Sequence, residues 1–76
     1  MNKQFREPDL ASLAKRFRAA AVKSRAQAAR EMNVSQASIF HAEESPNESL
    51  FKLRKRMIEA YSHYRVVGPV YMLKAG

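Results

Sequence analysis

With 76 residues, 46% of them hydrophobic, the chain has the size and composition of one small folded domain rather than of a disordered segment. It has no cysteine, which excludes disulfides and thiolate metal sites, and its two histidines, His41 and His63, stand far apart with no set of further ligands around them. A formal net charge of +7 points to a polyanionic partner, nucleic acid above all, while no apolar run reaches the length of a membrane span.

The charge is uneven along the chain. Residues 1–30 carry eight Lys and Arg against two acids, residues 31–49 carry four acids and no base, and residues 50–76 carry six bases against one acid. An acidic middle between basic flanks is unlike a basic amphipathic membrane helix, which keeps its positive face throughout. Residues 1–7 read as a flexible basic arm, and the polar run Met1 to Glu7 lacks the apolar centre of a signal peptide, so a cytosolic protein is expected.

Pro8 and Asp9 suit a helix start. Leu10, Leu13, Ala14, Phe17 and Ala21 then fall on one face at helical spacing, with Lys15, Arg16 and Ala19 opposite, which predicts a first helix to about Val22. Ser24-Arg25-Ala26-Gln27 has the form of a capping box and opens a second, short helix with Ala28, Ala29 and Met32 inward. Asn33 tolerates the left-handed conformation that closes a helix.

Ser35 caps a third helix, from about Gln36 to Glu43, with Ile39 and Ala42 inward and Gln36, Ala37, Phe40 and His41 elsewhere. Ser45-Pro46-Asn47-Glu48 reads as a second capping box that opens a fourth helix, with Leu50, Leu53, Met57, Tyr61 and Tyr64 on one face and Phe51 and Ile58 at its border. Beyond His63, the run Arg65 to Leu73 is β-branched and aromatic and reads as a strand. Gly68-Pro69 makes a poor two-residue hairpin, so this strand has no evident partner in its own chain. Pairing with its copy across a two-fold axis is the simplest remedy, which predicts a homodimer interface of Val66, Val67, Val70, Tyr71, Met72 and Leu73. The other reading is a tail packed irregularly on its own domain. The expected architecture is thus mainly α: four short helices over residues 8–64, a central helix-turn-helix, and a C-terminal β-strand over residues 65–76 that pairs across a dimer.

Two capped short helices around a sharp turn at Asn33-Val34 suit a helix-turn-helix, whose second helix enters the major groove. The run from Ser24 to Glu43 resembles the lambda-type Cro/repressor helix-turn-helix family, also called the xenobiotic-response-element family. Ser24, Ala29, Val34, Ser35, Ile39 and Glu43 keep its pattern. The resemblance spans residues 10–61. The chain departs from the pattern in Arg25 for glutamine, Ala28 for leucine, Asn33 for glycine and Lys23 for a core leucine. Its loop before the fourth helix is shorter, and a strand stands in place of a fifth helix, similar to the strand-mediated dimer of Cro proteins.

The resemblance implies a sequence-specific regulator of transcription that binds double-stranded DNA as a homodimer, a Cro-like repressor on a palindromic operator. Gln36 takes the position that often reads a base, and its amide matches the major-groove edge of adenine. Ala37 would meet a thymine methyl. His41, one turn on, would reach a base or a phosphate, or stay idle on the surface. Phe40 would either meet a thymine methyl or fold back onto the protein. The resemblance also implies an ion pair between Arg18 and Glu43 that ties the first helix to the third. Phosphate contacts are expected from helix N-termini and cations: Arg25 foremost, then Ser24, Ser35, Ser38, Ser45, Asn47 and Lys52. Lys55 and Arg56 would either join them or form a solvated face.

An alternative is an antitoxin-like interaction module on the same fold that binds a partner protein by strand addition through Val66 to Leu73. No aromatic pair suits RNA stacking on a sheet, and no nucleophile–base pair, metal set or glycine-rich phosphate loop suggests an enzyme. No cofactor, membrane or small-molecule effector is expected.

Overall fold

A computed structural model describes residues 3–67 and 71–75. The chain is mainly helical, with the order β1 (Lys3–Phe5), α1 (Glu7–Ala20), α2 (Arg25–Met32), α3 (Gln36–Glu44), α4 (Phe51–Tyr61), β2 (Tyr64–Val67) and β3 (Tyr71–Ala75). Helix α1 packs on α4 and α3, α2 packs on α3 and α4, and β2 lies on α4. The core is made of Leu10, Leu13, Ala14, Ala28, Ala29, Met32, Ile39, Ala42, Met57 and Ile58, closed at one end by Val66 and Leu73. Five buried alanines, Ala11, Ala14, Ala28, Ala29 and Ala42, let the helices approach closely.

The helix ends follow local chemistry. Helix α1 begins a little earlier than the sequence suggests, because the Asp9 carboxylate accepts the Arg6 amide at 2.9 Å. The capping box of α2 is complete: Ser24 Oγ accepts the Gln27 amide at 3.1 Å and Gln27 Oε1 accepts the Ser24 amide at 2.8 Å. Asn33 is left-handed, at φ 59° and ψ 47°, and the Val34 amide then closes the helix on the Ala29 carbonyl at 2.9 Å. Ser35 Oγ accepts the Ser38 amide at 3.1 Å and starts α3.

Three expectations are corrected. Ser45-Pro46-Asn47-Glu48 does not cap a helix. It is a turn in which the Glu48 amide donates to the Ser45 carbonyl at 3.0 Å, and α4 begins only at Phe51. The cause is Arg54, which is fully buried. A buried guanidinium needs acceptors for its donors. It donates to the carbonyls of Ala42 at 2.9 Å, Ser45 at 2.7 Å and Glu48 at 2.7 Å, with Glu7 3.7 Å away. Loop carbonyls can converge on one point, whereas helical carbonyls are aimed along the axis at their own amides. Helix α4 also ends at Tyr61, so Tyr64 belongs to β2, where its ring meets Phe17 at a centroid distance of 5.9 Å.

Second, the run from Arg65 to Leu73 is not one lone strand. It is divided into β2 and β3, which pair antiparallel with Val66 opposite Leu73 and Arg65 opposite Lys74. Three residues, 68–70, separate Val67 from Tyr71 in the sequence, more than the two-residue turn considered above. Third, the basic arm is not loose over its whole length: Lys3–Phe5 pairs with β3, giving the order β1-β3-β2. Strand β3 is therefore central and paired on both sides within the chain. Val66 and Leu73, expected at a dimer interface, are buried in the domain's own core, and Val67 is half-buried. Tyr71 and Met72 lie in β3, and Val70 lies outside the described residues.

The corner between α1 and α2 is strained. Val22 is 86% exposed and has φ 58°, a left-handed conformation that a β-branched side chain resists. Replacing it with glycine should raise stability by about 1 kcal/mol, and asparagine by somewhat less, in urea unfolding. Arg54→Met should lower stability by about 3 kcal/mol or more, because it removes the bonds to the carbonyls of Ala42, Ser45 and Glu48 and leaves Glu7 without its cation. A midpoint unchanged in Arg54→Met would contradict the account of the α3–α4 loop.

Candidate nucleic-acid interface

The α2–turn–α3 unit presents one face of α3 to solvent. Gln36, Ala37, Phe40 and His41 are all exposed, while Ile39, Ala42 and Glu43 are buried beneath them. Spacing by one and four residues puts the four exposed groups and Glu44 on one stripe of the helix. Neither α4 nor the sheet covers it.

The root of α3 is fixed electrostatically. The Glu43 side chain is fully buried, and its carboxylate takes two hydrogen bonds from Arg18, from Nε at 2.5 Å and from Nη2 at 3.0 Å. Arg25 Nε adds a third at 3.0 Å. Arg18 also donates to the Lys23 carbonyl at 2.7 Å, so one guanidinium holds the end of the α1–α2 corner and the back of α3 together. The hydrogen bond to Glu43 raises the Arg18 pKa further above its ordinary value, against the effect of burial. The pair expected from the sequence is present; the third member, Arg25, was not expected in it.

Arg25 is the residue whose position differs most from its expected role. Its Nη2 reaches Glu44 at 2.6 Å, and its guanidinium lies 5.0 Å from the centre of the Phe40 ring. Phe40 is 45% exposed, with this cation on one side and the His41 ring edge-on at 5.6 Å. It thus neither points freely outward nor folds into the core. Lys15 completes the cluster with an ion pair to Glu44 at 2.6 Å. That bond holds the Glu44 carboxyl below the usual carboxylate range.

The remaining sequence candidates divide by what occupies them. Ser24 and Ser35 hydroxyls cap their helices, and Ser38 Oγ lies 3.0 Å from Ser35 Oγ. Ser45 gives its carbonyl to Arg54, and its hydroxyl lies 3.2 Å from His41 Nδ1. His41 Nδ1 is also 3.3 Å from Glu48. Asn47 and Lys52 are exposed. Arg56 donates to the Met32 carbonyl at 2.7 Å, closing the end of α2 rather than facing a partner.

Each of the seven carboxylates has a partner within reach, although Glu7 Oε1 accepts no hydrogen bond and the partner of Glu48, His41, is charged only when protonated. Glu7, Glu43, Glu44 and Glu48 serve as above, and Asp9 caps α1. Glu31 takes Lys23 at 2.8 Å and the Tyr61 hydroxyl at 2.5 Å, and Glu59 accepts the Val66 amide at 3.0 Å. Among the described residues, the side chains of Arg6, Arg16, Arg30, Lys52, Lys55, Arg56, Arg65 and Lys74 have no carboxylate within ion-pair reach, so the positive charge in excess rests largely on them. No described helix is long and apolar enough to cross a membrane, and no three described His, Asp or Glu side chains converge as metal ligands do. The chain matches no family model, no curated relative and no solved structure.

Arg54 was missed by the sequence reading, though a signal existed. It follows Leu50 by four residues and precedes Met57 by three and Ile58 by four, so helical spacing puts it on the apolar face.

Two pH responses follow. Hydrogen bonds from Lys23 and Tyr61 hold the Glu31 carboxyl low, as Lys15 holds Glu44. Their stabilisation is present at neutral pH and is lost as pH falls below about 4.5, so Glu44→Gln should flatten the acid limb of the melting curve. Burial, then the bond to Glu31, pushes the Tyr61 phenol up to about 12. Its stabilisation is complete below pH 10.0 and is lost as pH rises toward 12, which a tyrosinate absorbance titration against Tyr61→Phe should resolve.

Proposed function

We propose that this chain is a sequence-specific binder of double-stranded DNA that acts as a Cro-like transcription repressor. The observation that carries the reading is α3 itself: it is anchored from behind by Glu43 and leaves Gln36, Ala37, Phe40 and His41 open on its outer face. A rigid helix with an amide at its N-terminal end fits the major groove, where Gln36 can donate to and accept from one adenine edge. Ala37 and the exposed edge of Phe40 supply apolar surface for thymine methyls.

The net charge of +7 supports a polyanionic ligand, and the engagement of every carboxylate supports it further. Backbone contacts fall to Lys52 and Asn47 beside α3 and to the helix N-termini at Ser24 and Ser35. Arg25 reaches a phosphate only by exchanging Glu44 for it. Such an exchange replaces one charge-assisted pair with another, so Arg25 adds less net affinity than an unpaired cation.

Repression by occlusion suits a chain of this size, and two copies on a palindromic site with half-sites about 34 Å apart are part of the proposal. The antitoxin-like reading loses its motive, since β3 has both edges paired and the β2 amides of Tyr64 and Val66 are taken by Ser62 and Glu59. Selection from a random duplex pool should return a palindrome. Gln36→Ala should then relax preference at one base pair per half-site, by about 1–3 kcal/mol, with little change elsewhere. Enrichment of no sequence at all would overturn the reading.

A further inference from the structure

The C-terminal sheet has two faces. Side chains alternate along a strand, so Val66 and Leu73, both buried, face the helices, and Arg65 and Lys74 face away. Both are exposed, and they stand directly opposite each other in the ladder. Like charges opposed in this way disfavour the sheet. Among the described residues no carboxylate relieves them. The carboxylate nearest to Arg65 along the chain, Glu59, is turned to the Val66 amide, and the other six are engaged elsewhere. A fold that maintains an uncompensated pair of cations at a cost to its own ladder is complementary to an anion it does not itself contain.

From this we infer that the outer face of the sheet, at Arg65 and Lys74, binds the phosphate backbone of duplex DNA without reading its sequence, as a contact surface separate from α3. A duplex carries one negative charge per about 1.7 Å of its axis, so two cations on neighbouring strands meet adjacent phosphates at once. Helix α3 packs on α1, α2 and α4, whereas the sheet joins the helices through β2 on α4, so the two surfaces belong to different parts of the molecule. The sheet surface supplies attraction, and α3 supplies preference. This goes beyond the reading proposed for α3 and stands if that reading fails.

The test is the salt dependence of the full chain on a duplex of random sequence. Arg65→Gln with Lys74→Gln should lower the slope of log Kobs against log salt by roughly two units. The same double variant should melt about 1–4 °C higher, because the like-charge opposition is gone. Arg65→Lys with Lys74→Arg should restore the wild-type slope. Gln36→Ala should leave the slope unchanged, which separates this surface from α3. An unchanged slope in the double glutamine variant overturns the inference, as does a loss seen on polyglutamate but not on duplex.

Discussion

A buried carboxylate organises the domain. Glu43 lies at the meeting point of three helices, and its charge can stay there only because Arg18 from α1 and Arg25 from α2 both donate to it. An unpaired carboxylate in that position would cost several kcal/mol. The directions of these bonds matter as much as their strength. The core around them is rich in alanine, which permits close approach but specifies orientation weakly, because small side chains interlock little. A bidentate guanidinium pair tolerates far less rotation. Arg54 acts at the same C-terminal end of α3, from the opposite side, where it gathers the carbonyls of Ala42, Ser45 and Glu48. The helix is thus held at its back by a carboxylate and at its end by a guanidinium, and its outer stripe is what remains.

That arrangement explains what could be read from the chain in advance. The helix-turn-helix was legible because its signals are local: Ser24 with Gln27, Asn33 and Ser35 each act within four residues, and each does in the fold what its chemistry suggests. Glu43 with Arg18 was legible only through resemblance, since nothing local links residues 25 positions apart. The α3–α4 loop was misread for the complementary reason. Ser45 and Glu48 have the local form of a capping box, but Arg54 competes for the same backbone from a distance and wins with three acceptors to one. The sheet was misread because β1 is three residues long and its partner lies at the far end of the chain. A three-residue strand has no periodicity to detect.

The charges tell a consistent story. Residues 31–49, which include α3, carry four acids and no base. In the fold three of those four acids are paired, Glu43 and Glu44 with Arg18, Arg25 and Lys15, and Glu31 with Lys23 and Tyr61, while Glu48 stays exposed beside His41. Cations from the basic N-terminal third are spent on them, so the outer stripe of α3 is close to neutral. The cations without a carboxylate partner lie on α1, α2, α4 and the sheet. A helix that meets base edges gains discrimination from hydrogen bonds and shape, while attraction to phosphates is the same for every sequence. If α3 meets base edges as proposed, a nearly neutral stripe keeps the two contributions apart, so that non-specific affinity need not compete with preference at the bases.

The sheet bears on how two copies could meet. In the order β1-β3-β2, the free edge nearest the helices is that of β2, and its outward amides alternate along the strand. The Tyr64 amide bonds to Ser62 Oγ at 3.1 Å and the Val66 amide to Glu59 Oε2 at 3.0 Å. Both donors that an added strand would need are already satisfied, and the carboxylate would have to be expelled to free one. Closing an edge with side chains is a known defence against unwanted pairing. The two-fold assembly proposed on a palindromic site would therefore not continue the sheet across β2. A contact of another kind can be weaker than a shared ladder. On the proposed palindromic site, adjacent half-sites would hold the two copies together by proximity, so that pairing would follow from binding rather than precede it.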